Sequence, residues 1–357
     1  MNILLMSAIM KKQRISVPPA VFETGTEDYI VIFESELKGS GYVRVQTESG
    51  DKIYYDSPAG IIATHDTVHV VKVPKNVLRG NYYSVGSQHV PFKYDYSAIK
   101  GGCAETAPVR FKGEEKEDRI KLLLITDIHE KEALMRKSLA FFKEDYDMVV
   151  MLGDITSNFM KKEKFTKNIL SDAAELSGGT VPVVYTRGNH ETRGEFASQL
   201  LKYFPTATGE FYFTFDFGGI SAVVLDSGED KEDDHSEYSG LIDFHTYREK
   251  EYKWISSLKK EQFTGKYKLV FCHHPGINQH FRRDWLSPFK ALGFGLLIGG
   301  HYHISRFIET SPPAFVACGR YSDSWAASSL TLENGKIRML TINTEGDTLL
   351  DKTITVE

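Results

Sequence analysis

The sequence predicts an α/β layered domain preceded by a small all-β sandwich. Three observations carry this reading. Residues 17–112 hold short runs of β-branched and aromatic residues broken by turn signals. From Ile120, continuous apolar runs alternate with helical patterns, the texture of strands buried on both faces. Beyond His303 the chain becomes strand-rich again. At 357 residues, a division into two domains is the natural expectation.

In chain order, residues 1–16 form an N-terminal segment. Met1 to Met10 is apolar but short, and Lys11, Lys12 and Arg14 follow it instead of preceding it. That order does not suit a secretory leader. No stretch reaches the roughly 18 apolar residues that a membrane span needs, so no membrane partner and a cytoplasmic location are expected. Residues 17–112 form the sandwich, with strands at Tyr29–Phe33, Gly41–Val45, Lys52–Tyr55 and Val68–Val73. Turns at Ser49-Gly50, Pro58-Ala59-Gly60 and Arg79-Gly80 separate them. The charged stretch 113–119 reads as a linker.

Residues 120–357 form the second domain. Lys121–Thr126, Met148–Leu152, Val181–Tyr185 and Lys268–Cys272 are its buried strands, with helical patterns at Glu130–Lys143 and Tyr247–Lys260. Phe211–Phe217, then Gly218-Gly219 and Ile220–Leu225, reads as a hairpin whose alternating phenylalanines face a core. Ser328–Leu332, Lys336–Thr341 and Thr348–Val356, joined at Asn334-Gly335 and Glu345-Gly346, read as an antiparallel meander.

Composition narrows the function. Hydrophobic residues make up 41% and charged residues 25%, as in soluble globular proteins. A net charge of −5 argues against a nuclease or a general nucleic-acid binder. An anionic substrate would have to be drawn in locally, by metals. Cys103, Cys272 and Cys318 are scattered without a CxxC spacing, which fits a reducing compartment without structural disulfides. Cys272, in a strand beside His273, reads as a buried small hydrophobe.

The chemistry lies in five short islands. They are Asp127-Ile128-His129, Gly153-Asp154, Gly188-Asn189-His190-Glu191, His273-His274-Pro275 and Gly299-Gly300-His301-Tyr302-His303. Each follows an apolar run, and loops at the C-terminal ends of buried strands can converge without breaking the core. Asp127 and His129 can point to one metal. Asp154 can place one oxygen on each of two. Asn189 offers an amide oxygen, and His190 could face substrate. His301 and His303 can reach two metals or two positions on one.

The series Asp-x-His, Gly-Asp, Gly-Asn-His-Glu, His-x-Pro and Gly-His-x-His resembles the calcineurin-like metallophosphoesterase superfamily over residues 120–305. The resemblance implies a four-layer α/β/β/α sandwich with a dinuclear centre. One metal would take Asp127, His129, Asp154 and His303, and the other Asp154, Asn189, His273 and His301. His273 is preferred to His274 because the ligand stands two residues before the proline. His190 matches the superfamily's active-site histidine. The implied reaction is hydrolysis of a phosphate mono- or diester, by in-line attack of a hydroxide bridging two divalent ions. Alternatives are a silent binding or scaffolding protein that retains the metal site, or a serine/threonine protein phosphatase-like enzyme.

Within the superfamily, Arg187–Glu191 matches the protein phosphatases' Arg-Gly-Asn-His-Glu. Their Gly-Asp-x-Val-Asp-Arg-Gly is replaced here by Gly153-Asp-Ile-Thr-Ser-Asn158, which lacks the phosphate-clamping arginine. Arg193 could serve as the phosphate contact instead. A β-sandwich ahead of the catalytic part resembles purple acid phosphatases, whose leading domain is fibronectin-like. The stretch from Tyr94 to Phe111 resembles that domain's final strand. The purple enzymes' iron-binding tyrosine falls at Ser157 here, which implies a colourless site with manganese, iron or zinc.

Overall fold

The computed structural model describes residues 11–112, 119–143, 145–276, 284–321 and 323–356. Most of the expected linker, 113–118, lies outside the described residues, as does the start of the N-terminal segment. The chain forms two compact units: Met1–Glu114 with Phe165–Val183, and Glu115–Lys164 with Val184–Glu357.

The first unit is built from β1 (Ile15–Phe22), β2 (Asp28–Ser35), β3 (Gly39–Thr47), β4 (Gly50–Tyr55), β5 (Val68–Pro74) and β6 (Tyr82–His89). Four short strands follow: β7 (Phe92–Tyr94), β8 (Ser97–Ile99), β9 (Cys103–Glu105) and β10 (Val109–Arg110). The single final strand expected between Tyr94 and Phe111 is therefore broken into pieces. β1, β2 and β5 pair antiparallel, and β3 pairs with β4 and β6. Val21, Tyr29, Val31 and Val71 from the first set share one apolar cluster with Val43, Val45, Tyr83 and Val85 from the second. The helical segment Phe165–Ser177 belongs with these strands, although it lies in the middle of the sequence predicted for the other domain. Its chain continues into β13 (Pro182–Tyr185), whose first residues pair in parallel with β1, Val21 opposite Pro182 and Phe22 opposite Val183.

The second unit contains two sheets. In the first, β11 (Arg119–Ile125) pairs in parallel with β12 (Met148–Met151). β11 also pairs antiparallel with β21 (Ser324–Glu333), the start of the meander through β22 (Lys336–Asn343) and β23 (Thr348–Thr355). The second sheet runs β14 (Phe213–Phe217), β15 (Ile220–Val224), β16 (Tyr267–Phe271), β17 (Leu296–Gly299), β19 (Ala314–Val316) and β18 (Arg306–Ile308). β20 (Gly319–Tyr321) pairs with β21. Leu122, Leu124, Val150 and Leu330 of one sheet pack with Phe213, Phe215, Phe217, Leu269 and Ile298 of the other in the main core. Each such side chain, fully buried, contributes about 1.5–3 kcal/mol. The helices Phe244–Ser257 and Leu286–Leu292 cover the second sheet's other face through Ile255, Phe289 and Leu292, packed with Val223, Val270, Cys272 and Leu297. The helix Glu132–Leu139 packs on β21.

The helices differ in extent from the sequence pattern. The first ends at Leu139 instead of Lys143, and the second runs from Phe244 to Ser257 because Asp243 caps it through the Thr246 amide. Cys272 is buried, one residue past β16.

One carboxylate ties the loops that leave β12 and β13. Glu191 is fully buried and accepts four backbone N–H groups, from Gly188 (2.8 Å), Asp154 (2.9 Å), Ile155 (2.7 Å) and Thr156 (3.1 Å). Burial and the neighbouring Asp154 charge push its carboxyl up to about 7, against the pull of the amides. Glu191→Gln would turn an NH2 group toward two of those donors. It is expected to destabilise the fold by about 3 kcal/mol, measured by urea unfolding beside the wild type. A change below about 0.5 kcal/mol, the scale of an ordinary surface substitution, would contradict this reading of the loop.

Candidate metal centre

All five islands sit just beyond strand ends, and their side chains converge. Asp127 and His129 follow β11, Asp154 follows β12, Asn189 and His190 follow β13, His273 follows β16, and His301 and His303 follow β17. Ligand atoms of Asp127, His129 and His303 lie within 4.8 Å of one another. So do those of Asp154, His273 and His301, and those of His129, Asp154 and His190.

The backbone that presents them is strained. Asp127, His129, Asp154, His301 and His303 all have positive φ, between 47° and 69°. Such a conformation costs non-glycine residues on the order of 1–3 kcal/mol each and persists only where the surroundings enforce it. The enforcement is visible. Asp127 N–H donates to Gly153 O (3.0 Å), and His129 N–H to Asp154 O (3.2 Å). The indole N–H of buried Trp325 is 3.2 Å from both Thr126 O and Asp127 O. Two motif glycines are required by close approach. A Cβ at Gly188 would stand 2.2 Å from Asp154 N and Oδ1, and one at Gly300 would stand 1.9 Å from Thr126 Oγ1.

Each buried aspartate turns one oxygen into the site. Asp127 Oδ2 accepts the Thr126 hydroxyl (2.7 Å) and the His301 N–H (3.0 Å), which leaves Oδ1 facing His303 Nε2 at 3.1 Å and His129 Nε2 at 3.8 Å. Asp154 Oδ1 accepts the His190 N–H (2.9 Å). Its Oδ2 is 3.1 Å from His273 Nε2 and 3.9 Å from His129 Nε2, and so faces both groups. The sequence reading allows Asp154 one oxygen for each of two metals. In the structure Oδ1 is tied to the His190 amide, so Oδ2 alone faces both histidine groups.

The donor set fits a cation. His273 Nδ1–H donates to Leu152 O (2.7 Å), so its Nε2 points inward. His129 Nε2 is buried with no hydrogen-bond partner. The Asn189 amide oxygen faces His273 Nε2 (3.1 Å) and His301 Nδ1 (3.2 Å). Turning the amide over would instead let its NH2 donate to these atoms and its oxygen accept from Arg193 at 2.9 Å. A cation among the imidazoles makes the oxygen-inward orientation the favourable one.

Charge tells the same story. Burial alone would raise the Asp154 carboxyl, but His273, together with the charge and N–H of His190, holds it well below the usual range. Burial would lower His273, but Asp154 outweighs it and brings the imidazole up to about 10. Burial and His273 push His301 down to about 4. The space between Asp154 Oδ2 and His273 Nε2 thus favours a positive charge, whether a proton or a metal ion.

Other sequence-predicted residues fall around this centre. His190 Nδ1–H donates to Ser157 O (2.9 Å), and His190 Nε2 is 3.8 Å from Asp154 Oδ2. Arg193 Nη1 lies 3.3 Å from His190 Nε2. Ser157, at the position where a tyrosine would be sought, gives its hydroxyl to Glu130 Oε2 (2.7 Å). His274 is not in the ligand groups. Its ring lies against His301, with centroids 4.2 Å apart. Arg187 is occupied by Asp226 (2.5 Å) and sits over the Phe211 ring at 4.4 Å. Sequence reasoning missed the roles of Glu191, Trp325 and Glu229. Only Glu191 carried a signal, its place in the third island.

Known proteins bear on this geometry. The family model described as calcineurin-like phosphoesterase matches residues 120–305, more than half of the chain. Serine/threonine-protein phosphatase CPPED1 of Danio rerio is 24% identical over 173 residues, 43% of this chain and 53% of that protein. The chain thus spans about half the length of that curated relative. Purple acid phosphatase PPD1 from yellow lupin (Lupinus luteus) seeds superposes with a TM-score of 0.60 at 12% identity, covering 96% of this chain and 74% of that one. PhoD gives 0.58 at 10% identity, covering 96% and 92%. These two likenesses are likenesses of fold. On the strength of the family match, which takes in all five ligand-bearing loops, the chain belongs to the calcineurin-like phosphoesterase family.

Proposed function

We propose that the chain is a dinuclear-metal phosphoesterase that hydrolyses a small phosphate ester, mono- or diester, by in-line displacement at phosphorus. The observation that carries this reading is that Asp154 Oδ2 faces both His129 and His273. Asp127, His129 and His303 would hold one ion, Asn189, His273 and His301 the other, with Asp154 shared. Mixed carboxylate, amide and imidazole donors suit manganese, iron or zinc. Bound there, two divalent ions would polarise phosphoryl oxygens and make water more acidic near neutral pH.

The chain's own residues supply the rest. Ser157 O pins Nδ1–H of His190, so any further proton on that ring is carried at Nε2, the edge beside Asp154. From there His190 stabilises the departing oxygen or protonates it. Arg193, whose Nη1 lies beside the same nitrogen, contacts the phosphate. Ser157 brings no phenolate, which supports a colourless centre. The leading sandwich is read as fibronectin-like, and the net negative charge supports a small substrate rather than nucleic acid. Cys103, Cys272 and Cys318 are unpaired, in keeping with a reducing compartment such as the cytoplasm. Among the described residues, no helix is long and apolar enough to cross a membrane.

Two experiments test the reading. Protein stripped of metal and reloaded with Mn²⁺ is expected to hydrolyse chromogenic mono- or diesters, and Asp154→Asn to lose roughly 100-fold or more of that rate together with bound metal. Equal turnover by the variant would rule out the assignment of Asp154. His190→Gln is expected to lower kcat by about 100-fold or more while elemental analysis finds the metal content of the wild type. Loss of metal from that variant would make His190 a ligand instead.

A further inference from the structure

Arg193 is held by more than its own charge requires. Its Nε and Nη2 donate to the two oxygens of Glu229, at 2.7 and 2.8 Å, in a parallel pair. Glu229 is buried, and each of its oxygens takes a second donor: the Thr192 hydroxyl on Oε1 (2.9 Å) and the Tyr238 hydroxyl on Oε2 (3.0 Å). A carboxylate filled in this way cannot rotate without breaking several bonds, so the guanidinium plane is fixed. Asp230 adds a weaker contact to Nη2 at 3.4 Å. The remaining corner, Nη1, is held 3.3 Å from His190 Nε2, whose own neighbour is Asp154 Oδ2.

The placement matters because esters differ in their free oxygens. A phosphomonoester has three non-bridging oxygens and a diester two. Ions held by the two groups of candidate ligands would each take one of these oxygens. A third oxygen, present only in the monoester, needs a donor from outside those groups, and Arg193 Nη1 is a cationic donor at the edge of the cluster. The superfamily's protein-phosphatase arginine is missing from Gly153–Asn158, so that motif does not supply one.

We propose that Glu229, supported by Thr192 and Tyr238, is a positioning residue that fixes Arg193 to receive the third non-bridging oxygen of a phosphomonoester, and so biases this site toward monoesters over diesters. The proposal rests on the phosphoesterase reading. It predicts that the ratio of monoester to diester turnover is set by a residue that touches neither metal nor substrate.

The test uses the full chain, metal-loaded, as wild type, Glu229→Gln, Tyr238→Phe and Arg193→Lys. Each is assayed with p-nitrophenyl phosphate and bis-p-nitrophenyl phosphate, and titrated with inorganic phosphate by calorimetry. In Glu229→Gln and Arg193→Lys, kcat/KM for the monoester is expected to fall about tenfold further than for the diester. The Kd for phosphate is expected to rise by a similar factor, with metal content unchanged. Tyr238→Phe should show the same trend more weakly, and it carries the test if Glu229→Gln fails to fold. A parallel fall on both esters, or none on either, would mean that the pair only pins the turn after His190, and overturns the proposal. A wild type that prefers the diester overturns it as well. If the loaded wild type hydrolyses neither ester, the phosphoesterase reading itself fails. Unaltered phosphate affinity in the variants then removes the role of Arg193 too.

Discussion

The centre depends on one buried carboxylate and the four amides it accepts. Glu191 is neither a candidate metal ligand nor a plausible substrate contact. It gathers the N–H groups of Gly188, Asp154, Ile155 and Thr156, which the turns leave without strand partners. That bond set joins the loop bearing Asp154 to the loop bearing Asn189 and His190. Next to it, the His190 amide donates to Asp154 Oδ1 and leaves Oδ2 turned into the site. The orientation of the Asp154 carboxylate is thus fixed by backbone hydrogen bonding.

The strain at the ligands follows from the same requirement. A side chain just past a strand end points into the site only if the backbone turns at once, and the left-handed region is the shortest way to turn. Five candidate ligands adopt it. Their cost is offset by the sheet core beneath them, where Leu122, Leu124, Val150 and Ile298 are buried almost completely. Trp325 contributes from the far side of the sequence, through an indole N–H that meets the carbonyls of the first ligand turn. The cost and its compensation sit in different elements.

This division explains what was legible in the sequence. The candidate ligands were readable because buried strands announce themselves as unbroken apolar runs, and His, Asp and Asn directly after such runs have few structural reasons to be there. Several strands of the second unit, β11, β12 and β16 among them, followed from the same runs. The single inward oxygen of Asp154 was not readable, since it depends on an amide 36 residues away along the chain. Nor was the partner of Arg193. Glu229 stands in a run of acidic residues that looks like an ordinary solvated loop, and only the fold places it behind Arg193. Positive φ at aspartate and histidine leaves no mark in composition. The allegiance of the helical segment before β13 was not readable, because long-range pairing has no local signature.

That allegiance has a consequence for how the molecule is made. The first unit is not a contiguous stretch of chain: β1 finds its parallel neighbour in Pro182 and Val183, and the segment Phe165–Val183 belongs to the same body. At a ribosome adding on the order of 5–20 residues per second, β1 to β10 emerge well before that neighbour is synthesised, with β11 and β12 of the other unit in between. The leading sandwich therefore cannot be completed as an independent module, and a fragment cut in the charged stretch before β11 would leave one flank of β1 open. The two units are interleaved along the chain.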